Sequence, residues 1–179
     1  MPQAVTHFIF SLVLFTVVWS CLHKKDAKIP LAYVLLAGLA GLLPDIDYAL
    51  FWIMYTLGYL SDVNLVHRIF THSLVFPLAF GLIAFVLMRV RLTIKHRQIN
   101  AGAVLAIVAF GSLIHIALDA ALSGYIRPLY PFSFVEIGTG LLDGIEPELR
   151  QQLMATFDGL IFVLWITYLA LTKSIQRLI

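Results

Sequence analysis

Five long apolar segments divide the chain, and polar residues are concentrated between them. Runs close to the roughly 20 residues that a helix needs to cross a bilayer predict transmembrane helices. We place the predicted spans at about 4–22, 29–44, 71–90, 101–122 and 160–171. Some of them are short for a span, and tilt or local thinning of the bilayer would accommodate them.

Two of the segments between the spans carry structural signals of their own. Segment 49–65 is rich in Trp and Tyr and follows the break at Pro44, which predicts an interfacial or re-entrant helix. Segment 123–158 is rich in Gly and Pro, which predicts an ordered loop with one short helix near 147–156. The expected fold class is all-α: a helical bundle in the membrane, with about five transmembrane helices plus the interfacial helix, forming a single domain over residues 1–179.

Composition supports a membrane protein. Hydrophobic residues make up 61% of the chain and charged residues only 12%, whereas soluble domains carry about 25% charged residues. The net charge of +2 gives no reason to expect nucleic-acid binding. The first apolar run has no basic residue before it, so we interpret it as a retained helix and not as a signal peptide.

Basic residues predict the orientation of the bundle. With five spans, three fall on one side of the membrane: Arg68, Arg127 and Arg150. Nine fall on the other: Lys24, Lys25, Lys28, Arg89, Arg91, Lys95, Arg97, Lys173 and Arg177. The side rich in Lys and Arg is expected to be cytoplasmic. The chain is therefore expected to be a multi-pass protein of the inner (cytoplasmic) membrane with its N-terminus outside.

Potential metal ligands from four segments converge on the extracytoplasmic face in this topology. They are His7, Asp45, Asp47, His67, His72, His115 and Asp119. His115 and Asp119 are four residues apart and share one face of a helix. Imidazoles and carboxylates without thiolates favour Zn²⁺, with Mn²⁺ or Fe as alternatives, and the set is rich enough for two or more ions.

Each of these residues also has an ordinary structural explanation. His7 is as consistent with a structural histidine at the interface as with a ligand. Asp45 could cap the helix that follows it, and Asp119 could form a salt bridge with Arg68 or Arg127. Ionisable residues at membrane depth are nevertheless usually functional. Two histidines are predicted to be solvated among basic residues on the opposite side: His23 and His96.

The segments THFIFSLVLF, LLPDIDY, HRIFTHS and HIALDAALSGYIRPLYPF occur in this order. In this they resemble the bacterial and archaeal family of membrane-bound metal-dependent hydrolases, which includes the inner-membrane protein associated with the LexA regulon. The resemblance covers residues 6 to about 132. It implies functional roles for His7, Asp45, Asp47, His67, Arg68, Thr71, His72, Ser73, His115 and Asp119. The chain departs from the family pattern at Ile69, where Gly is usual, and at Ser123-Gly124, where Thr-Pro is usual.

A weaker similarity concerns the order of the ligands. An early His, then Asp, then His, then His-x-x-x-Asp is similar to the zinc-dependent phospholipase C and S1/P1 nuclease group, which act on phosphodiesters with three zinc ions. The chain lacks that group's second His-x-x-x-Glu/Asp pair, which leaves a third ion in doubt.

These features predict a membrane-embedded metal-dependent hydrolase acting on a phosphoester of a lipid or lipid-linked substrate. Asp45 or Asp47 would bridge ions or act as general base, and Arg68 would bind phosphate together with Arg127. The resemblance adds Thr71 and Ser73 to the expected substrate contacts. The alternatives are a metal-binding transporter or sensor without hydrolytic activity, and a structural membrane protein stabilised by a metal ion.

Overall fold

The computed structural model describes residues 4–23, 30–62, 67–94, 97–122 and 124–171. Its helices are α1 (Ala4–Leu22), α2 (Leu31–Ala40), α3 (Ile46–Thr56), α4 (Val75–Leu87), α5 (Ala101–Leu122) and α6 (Pro147–Leu171). A 3₁₀ turn, Leu43–Asp45, joins α2 to α3. The strands β1 (Arg91–Ile94) and β2 (Arg97–Asn100) pair antiparallel between α4 and α5. The described chain is predominantly helical, which confirms the all-α class.

Within the described residues, three helices are long and apolar enough to cross a membrane: α1, α5 and α6. The pair formed by α2 and the segment Leu43–Thr56 is bent by 45° and is either one broken span or a re-entrant loop. The expectation of about five full-length spans is corrected for α4, whose 13 residues rise about 20 Å. Hydropathy extended this span to both sides because it does not register turns. Residues 71–74 are turns, in which Thr71 donates a hydrogen bond to Asp47 in the first turn of α3 and Ser73 donates to the carbonyl of Phe70.

Two further sequence predictions are corrected. The short helix expected at 147–156 and the span expected at 160–171 form one continuous helix of 25 residues, α6. Polar residues at its start do not end a helix, and Glu148 in the first turn is favourable there because it faces the positive end of the helix dipole. The basic segment between α4 and α5 contains the antiparallel strands β1 and β2. The helix expected in the aromatic segment is confirmed as α3.

Side-chain contacts show how the helices run relative to one another. Thr6 and Thr16 of α1 contact Asp158 and Trp165 of α6, respectively, so these two helices run parallel. α2 and α5 run antiparallel to α1, since their C-terminal turns lie beside its first turns. The apolar core lies between α1, α2, α5 and α6, and it consists of Leu12, Phe15, Val34, Ala37, Ile107, Trp165 and Leu169.

Glycine allows α5 to approach the end of α2 very closely. A Cβ atom added at Gly111 would lie 2.5 Å from the Cβ of Ala40 and 2.8 Å from the backbone nitrogen of Gly41. Gly41 is itself enclosed on its other side by the backbone carbonyl of His7 and the side chain of Ser11. Small residues at such crossings are characteristic of helix packing in membranes. This crossing brings the first turns of α1 and the last turns of α5 to the same end of the bundle.

We therefore expect Gly111→Ala to lower the free energy of unfolding by about 1–3 kcal/mol, because the methyl group overpacks the crossing of α2 and α5. Thermal unfolding of the detergent-purified protein measures this loss. Gly81→Ala and Gly159→Ala are matched controls, since a Cβ at either helical position meets no atom within 4 Å. Both controls should be neutral or slightly stabilising. A Gly111→Ala protein as stable as these controls would contradict the close crossing.

Candidate metal centre

The structure brings all seven predicted ligands together at one end of the bundle. The four histidines and two of the three carboxylates are buried: His7, His67, His72, His115, Asp47 and Asp119. The Asp45 side chain is 25% exposed. The residues come from the start of α1, the junction of α2 and α3, the turns before α4 and the last third of α5. The predicted convergence of four separate segments on one end of the bundle is thus observed.

Four donor atoms form a compact cage at the centre of this cluster. The Nε2 atoms of His72 and His115 lie 3.1 Å apart. Asp45 Oδ1 lies 3.5 Å from the first nitrogen and 3.6 Å from the second. Asp119 Oδ2 lies 3.4 and 3.8 Å from the same two atoms. Donors held about 2.1 Å from an ion at the corners of a tetrahedron lie about 3.4 Å apart, and these five separations are close to that value.

Three histidines are held by their Nδ1 atoms, and in His72 and His115 this leaves Nε2 facing the cage. His115 Nδ1 lies 2.7 Å from the carbonyl oxygen of Gly41 and donates to it. His67 Nδ1 lies 3.0 Å from Asp47 Oδ1, and His72 Nδ1 lies 3.1 Å from the Thr71 hydroxyl. Partners of this kind set the tautomer and ring orientation of metal-binding histidines. The Nε2 atom of His67 is buried and has no hydrogen-bond partner among the described residues.

The two carboxylates of the Pro-Asp-Ile-Asp segment have different environments. Asp47 Oδ1 accepts from His67, and its Oδ2 accepts from the Arg68 backbone N–H at 3.2 Å and the Thr71 hydroxyl at 2.8 Å. Asp45 stands at the N-cap position of α3 but makes no capping hydrogen bond, so the capping alternative is wrong. Its Oδ1 is buried and has no hydrogen-bond partner among the described residues. Asp45 is thus available as a ligand, whereas Asp47 orients its neighbours.

Asp119 links the two sides of the cluster. Its Oδ1 lies 3.4 Å from His7 Nε2, and its Oδ2, a member of the cage, lies 3.4 Å from Arg68 Nη2. The salt bridge considered for Asp119 therefore forms with Arg68, while Arg127 pairs with Glu136 at 2.9 Å. The His7 ring stacks on the His115 ring with centroids 3.8 Å apart. The two oxygens of Asp119 consequently lie in different parts of the cluster, Oδ1 beside His7 and Oδ2 in the cage.

The carboxylates of the cluster strongly favour positively charged groups next to them. Burial alone would lower the pKa of the His72 imidazole, but hydrogen bonds with Asp119, Asp45 and Asp47 outweigh it and raise the pKa to about 10. Three buried or half-buried carboxylates of this cluster face the positive charges of Arg68 and of the protonated His72. The excess negative charge favours a bound cation, since an uncompensated buried charge is costly.

A polar cavity of about 160 Å³ adjoins the cluster. It is lined by His67, Arg68, Ile69, Tyr125, Arg127 and Glu136. Both Nε and Nη2 of Arg127 donate to Glu136 Oε1, so this arginine is already engaged at the rim. The two hydroxyls expected to contact substrate have internal partners, since Thr71 donates to Asp47 and buried Ser73 donates to the Phe70 carbonyl at 2.8 Å. Their contact with a substrate stays a prediction.

Sequence reasoning missed several residues of the site. Tyr48 packs on the His67 ring with centroids 4.0 Å apart, and Gly41 supplies the carbonyl that holds His115.

Asp158 of α6 is buried and accepts a hydrogen bond from Thr6, beside His7. A carboxylate inside an apolar helix is a signal that could have revealed Asp158. The predicted loop over 123–158 ends at this residue and therefore hides the signal. His96 lies outside the described residues, and His23 is exposed, as predicted.

The fold and the site together define an integral membrane helical bundle with a buried cluster of His and Asp residues that could hold a metal ion. Residues 1–177 match the family of the YdjM inner membrane protein, and the chain belongs to that family. No curated protein and no solved structure matches the chain. Membership confirms the predicted inner-membrane class and the resemblance to the LexA-associated inner-membrane proteins. Hydrolytic activity and the similarity to phospholipase C and nucleases stay predictions.

Purified protein is expected to bind at least one transition-metal ion, because donors from three segments meet in the cage and His7 of a fourth segment lies beside it. His115→Ala and Asp119→Ala should each lower the metal content measured by elemental analysis after reconstitution with Zn²⁺ or Mn²⁺. His23→Ala is the control, since His23 stacks on Trp19 at the other end of α1. Absence of metal from the wild-type protein after reconstitution would refute the metal centre.

Proposed function

We propose that the protein is a metal-dependent hydrolase acting on a phosphoester of a lipid or lipid-linked substrate. The observation that carries the proposal is the cage of His72, His115, Asp45 and Asp119 next to a cavity lined by two arginines. Donors for an ion and groups suited to a phosphate therefore lie side by side. This juxtaposition favours hydrolysis over transport or sensing, since neither of those needs an anion-binding group at the ion.

Zinc fits this donor set best, with Mn²⁺ or Fe as alternatives. Bound there, a divalent ion would act as a Lewis acid towards a phosphoryl oxygen and lower the pKa of a coordinated water. Two further donors flank the cage, His7 on one side and His67 on the other. They support our proposal of two or more ions. Asp45, the least buried carboxylate, is best placed to accept a proton from an attacking water, whereas the oxygens of Asp47 are engaged elsewhere.

Arg68 is the group that we assign to the phosphate. Its backbone has a φ of 63°, in the left-handed region that costs a non-glycine residue about 1–3 kcal/mol. The conformation lets the Arg68 N–H reach Asp47 while the guanidinium reaches Asp119 and lines the cavity. A planar guanidinium can bind Asp119 and still present N–H groups to a phosphate oxygen. Arg127 would join it, once its contact with Glu136 rearranges.

Exposed aromatic residues support a substrate in the lipid headgroup layer. Trp52, Tyr55 and Tyr59 of α3 and the turn after it are more than half or about half exposed, at 59%, 50% and 72%. Trp and Tyr favour the membrane interface. α3 begins directly at Asp45, so the site and this aromatic surface are connected by one short helix. A substrate anchored in the bilayer would therefore meet the arginine-lined cavity at headgroup depth.

The basic residues of the sequence support an extracytoplasmic position for the site. In this orientation Ser61 lies outside and Lys95 inside. Single cysteines at the two positions, introduced in a Cys21→Ser background, should react with an impermeant maleimide from opposite sides of intact cells. Labelling of both positions from the same side would refute the proposed topology while leaving the metal centre intact.

The hydrolase proposal is tested by Arg68→Lys. Lys keeps the positive charge but cannot make a forked contact, so metal should stay bound while turnover falls at least tenfold. Metal-loaded protein is incubated with a panel of phospholipids and prenyl phosphates, and released headgroup or phosphate is measured. Arg91→Lys, on the exposed β1 strand, is the control and should keep full turnover.

Two outcomes would contradict the proposal. If Arg68 is only a structural partner of Asp119, Arg68→Lys should retain turnover and Arg68→Ala should destabilise the fold. If the wild-type protein binds metal and is folded but turns over no member of the panel, the metal-binding transporter or sensor becomes the better interpretation.

A further inference from the structure

The four histidines of the cluster differ in one respect. His67, His72 and His115 each have a partner for Nδ1, and the Nε2 atoms of His72 and His115 face the cage. His7 follows the same orientation, since its Nε2 lies 3.4 Å from Asp119 Oδ1. Its Nδ1 atom, however, is buried and has no hydrogen-bond partner among the residues that the structure describes. An unpartnered buried ring nitrogen is costly and calls for an acceptor.

Asp158 offers a matching buried acceptor. Its Oδ2 accepts the Thr6 hydroxyl at 3.1 Å, while its Oδ1 has no hydrogen-bond partner within the described part of the chain. The residue is 5% exposed and lies within a helix of membrane-spanning length. Thr6 directly precedes His7, and the His7 imidazole interacts electrostatically with the Asp158 carboxylate. The unpaired ring nitrogen and the unpaired carboxylate oxygen therefore belong to two residues that adjoin the same contact between α1 and α6, that of Thr6 with Asp158.

We propose that Asp158 is a positioning residue for His7, whose Nδ1–H it accepts through one bridging water. The bridge fixes the tautomer in which His7 Nε2 is free to bind an ion. Carboxylates in this role make metal-binding histidines more basic and hold the ring in place. The inference rests on the metal centre proposed above, and it extends the site to α6.

A purely structural role explains Asp158 less well. A carboxylate within an apolar helix is costly, and the neutral hydroxyl of Thr6 donates a hydrogen bond to only one of its oxygens. α1 and α6 are already joined by a neutral contact, in which Trp165 Nε1 donates to the Thr16 hydroxyl at 3.3 Å. Ser11 is also buried without a hydrogen-bond partner in the described chain, but its side chain lies against Gly41, directly after α2. Helix packing therefore does not require the negative charge of Asp158, whereas an interaction with His7 does.

The test uses Co²⁺ binding by the full-length protein in detergent, followed by visible absorption of the bound ion. Asp158→Asn keeps the size of the side chain and an oxygen for Thr6 but removes the charge. We expect it to weaken Co²⁺ binding about 10- to 100-fold and to change the absorption spectrum, which reports the geometry of the ligands. Trp165→Phe removes the neutral contact between the same two helices, and Ser11→Ala removes the other unpartnered group. Both controls should retain the affinity and spectrum of the wild type.

Three outcomes separate this inference from the proposal beneath it. Wild-type affinity and spectrum in Asp158→Asn would overturn the role of Asp158 and leave the metal centre standing. Equal losses in Asp158→Asn and Trp165→Phe would overturn it too, because packing of α6 alone would then explain the loss. Failure of the wild-type protein to bind Co²⁺ would overturn the metal centre and this inference together.

Discussion

The constraint on which the structure depends is the cost of holding carboxylates inside an apolar helical bundle. Asp47 and Asp119 are almost fully buried, and each is surrounded by donors from other segments. An unanswered carboxylate in this environment would cost several kcal/mol. The polar residues of the cluster can therefore fold only as a group, in which every donor and acceptor depends on the others. A divalent cation completes such a group more fully than a proton on His72.

Close helix packing is the means by which this group is assembled. Gly111 and His115 are one turn apart on α5, as are His7 and Ser11 on α1, and Gly41 lies between the two helices. The crossing that needs glycine thus also delivers the carbonyl that orients His115. Beyond it the chain bends by 45° and places Asp45 and Asp47 at the junction. The same helix crossing therefore determines both the packing of the membrane helices and the positions of the donor atoms.

The convergence of the ligands could be predicted from the sequence. Which of them is available to an ion and which orients its neighbours could not. Basic residues set the direction of the helices, and direction alone brings His7 to the same end as His115. The distinction between Asp45 and Asp47 depends on a 3₁₀ turn of three residues, and such turns leave no periodic pattern in a sequence. The length of α4 escaped prediction for a similar reason, since hydropathy does not register the hydrogen bond that keeps Ser73 in a turn.

The strained backbone at Arg68 shows why this cluster is built for more than stability. A residue with a φ of 63° would be replaced by glycine without loss if only the turn mattered. The side chain of Arg68 reaches Asp119, while its backbone N–H donates to Asp47. One residue thus connects Asp47, which orients its neighbours, to Asp119, which belongs to the cage. The same side chain lines the polar cavity beside the cluster. Strain, a partly buried positive charge and a polar cavity coincide at one residue, and this coincidence is characteristic of a functional site.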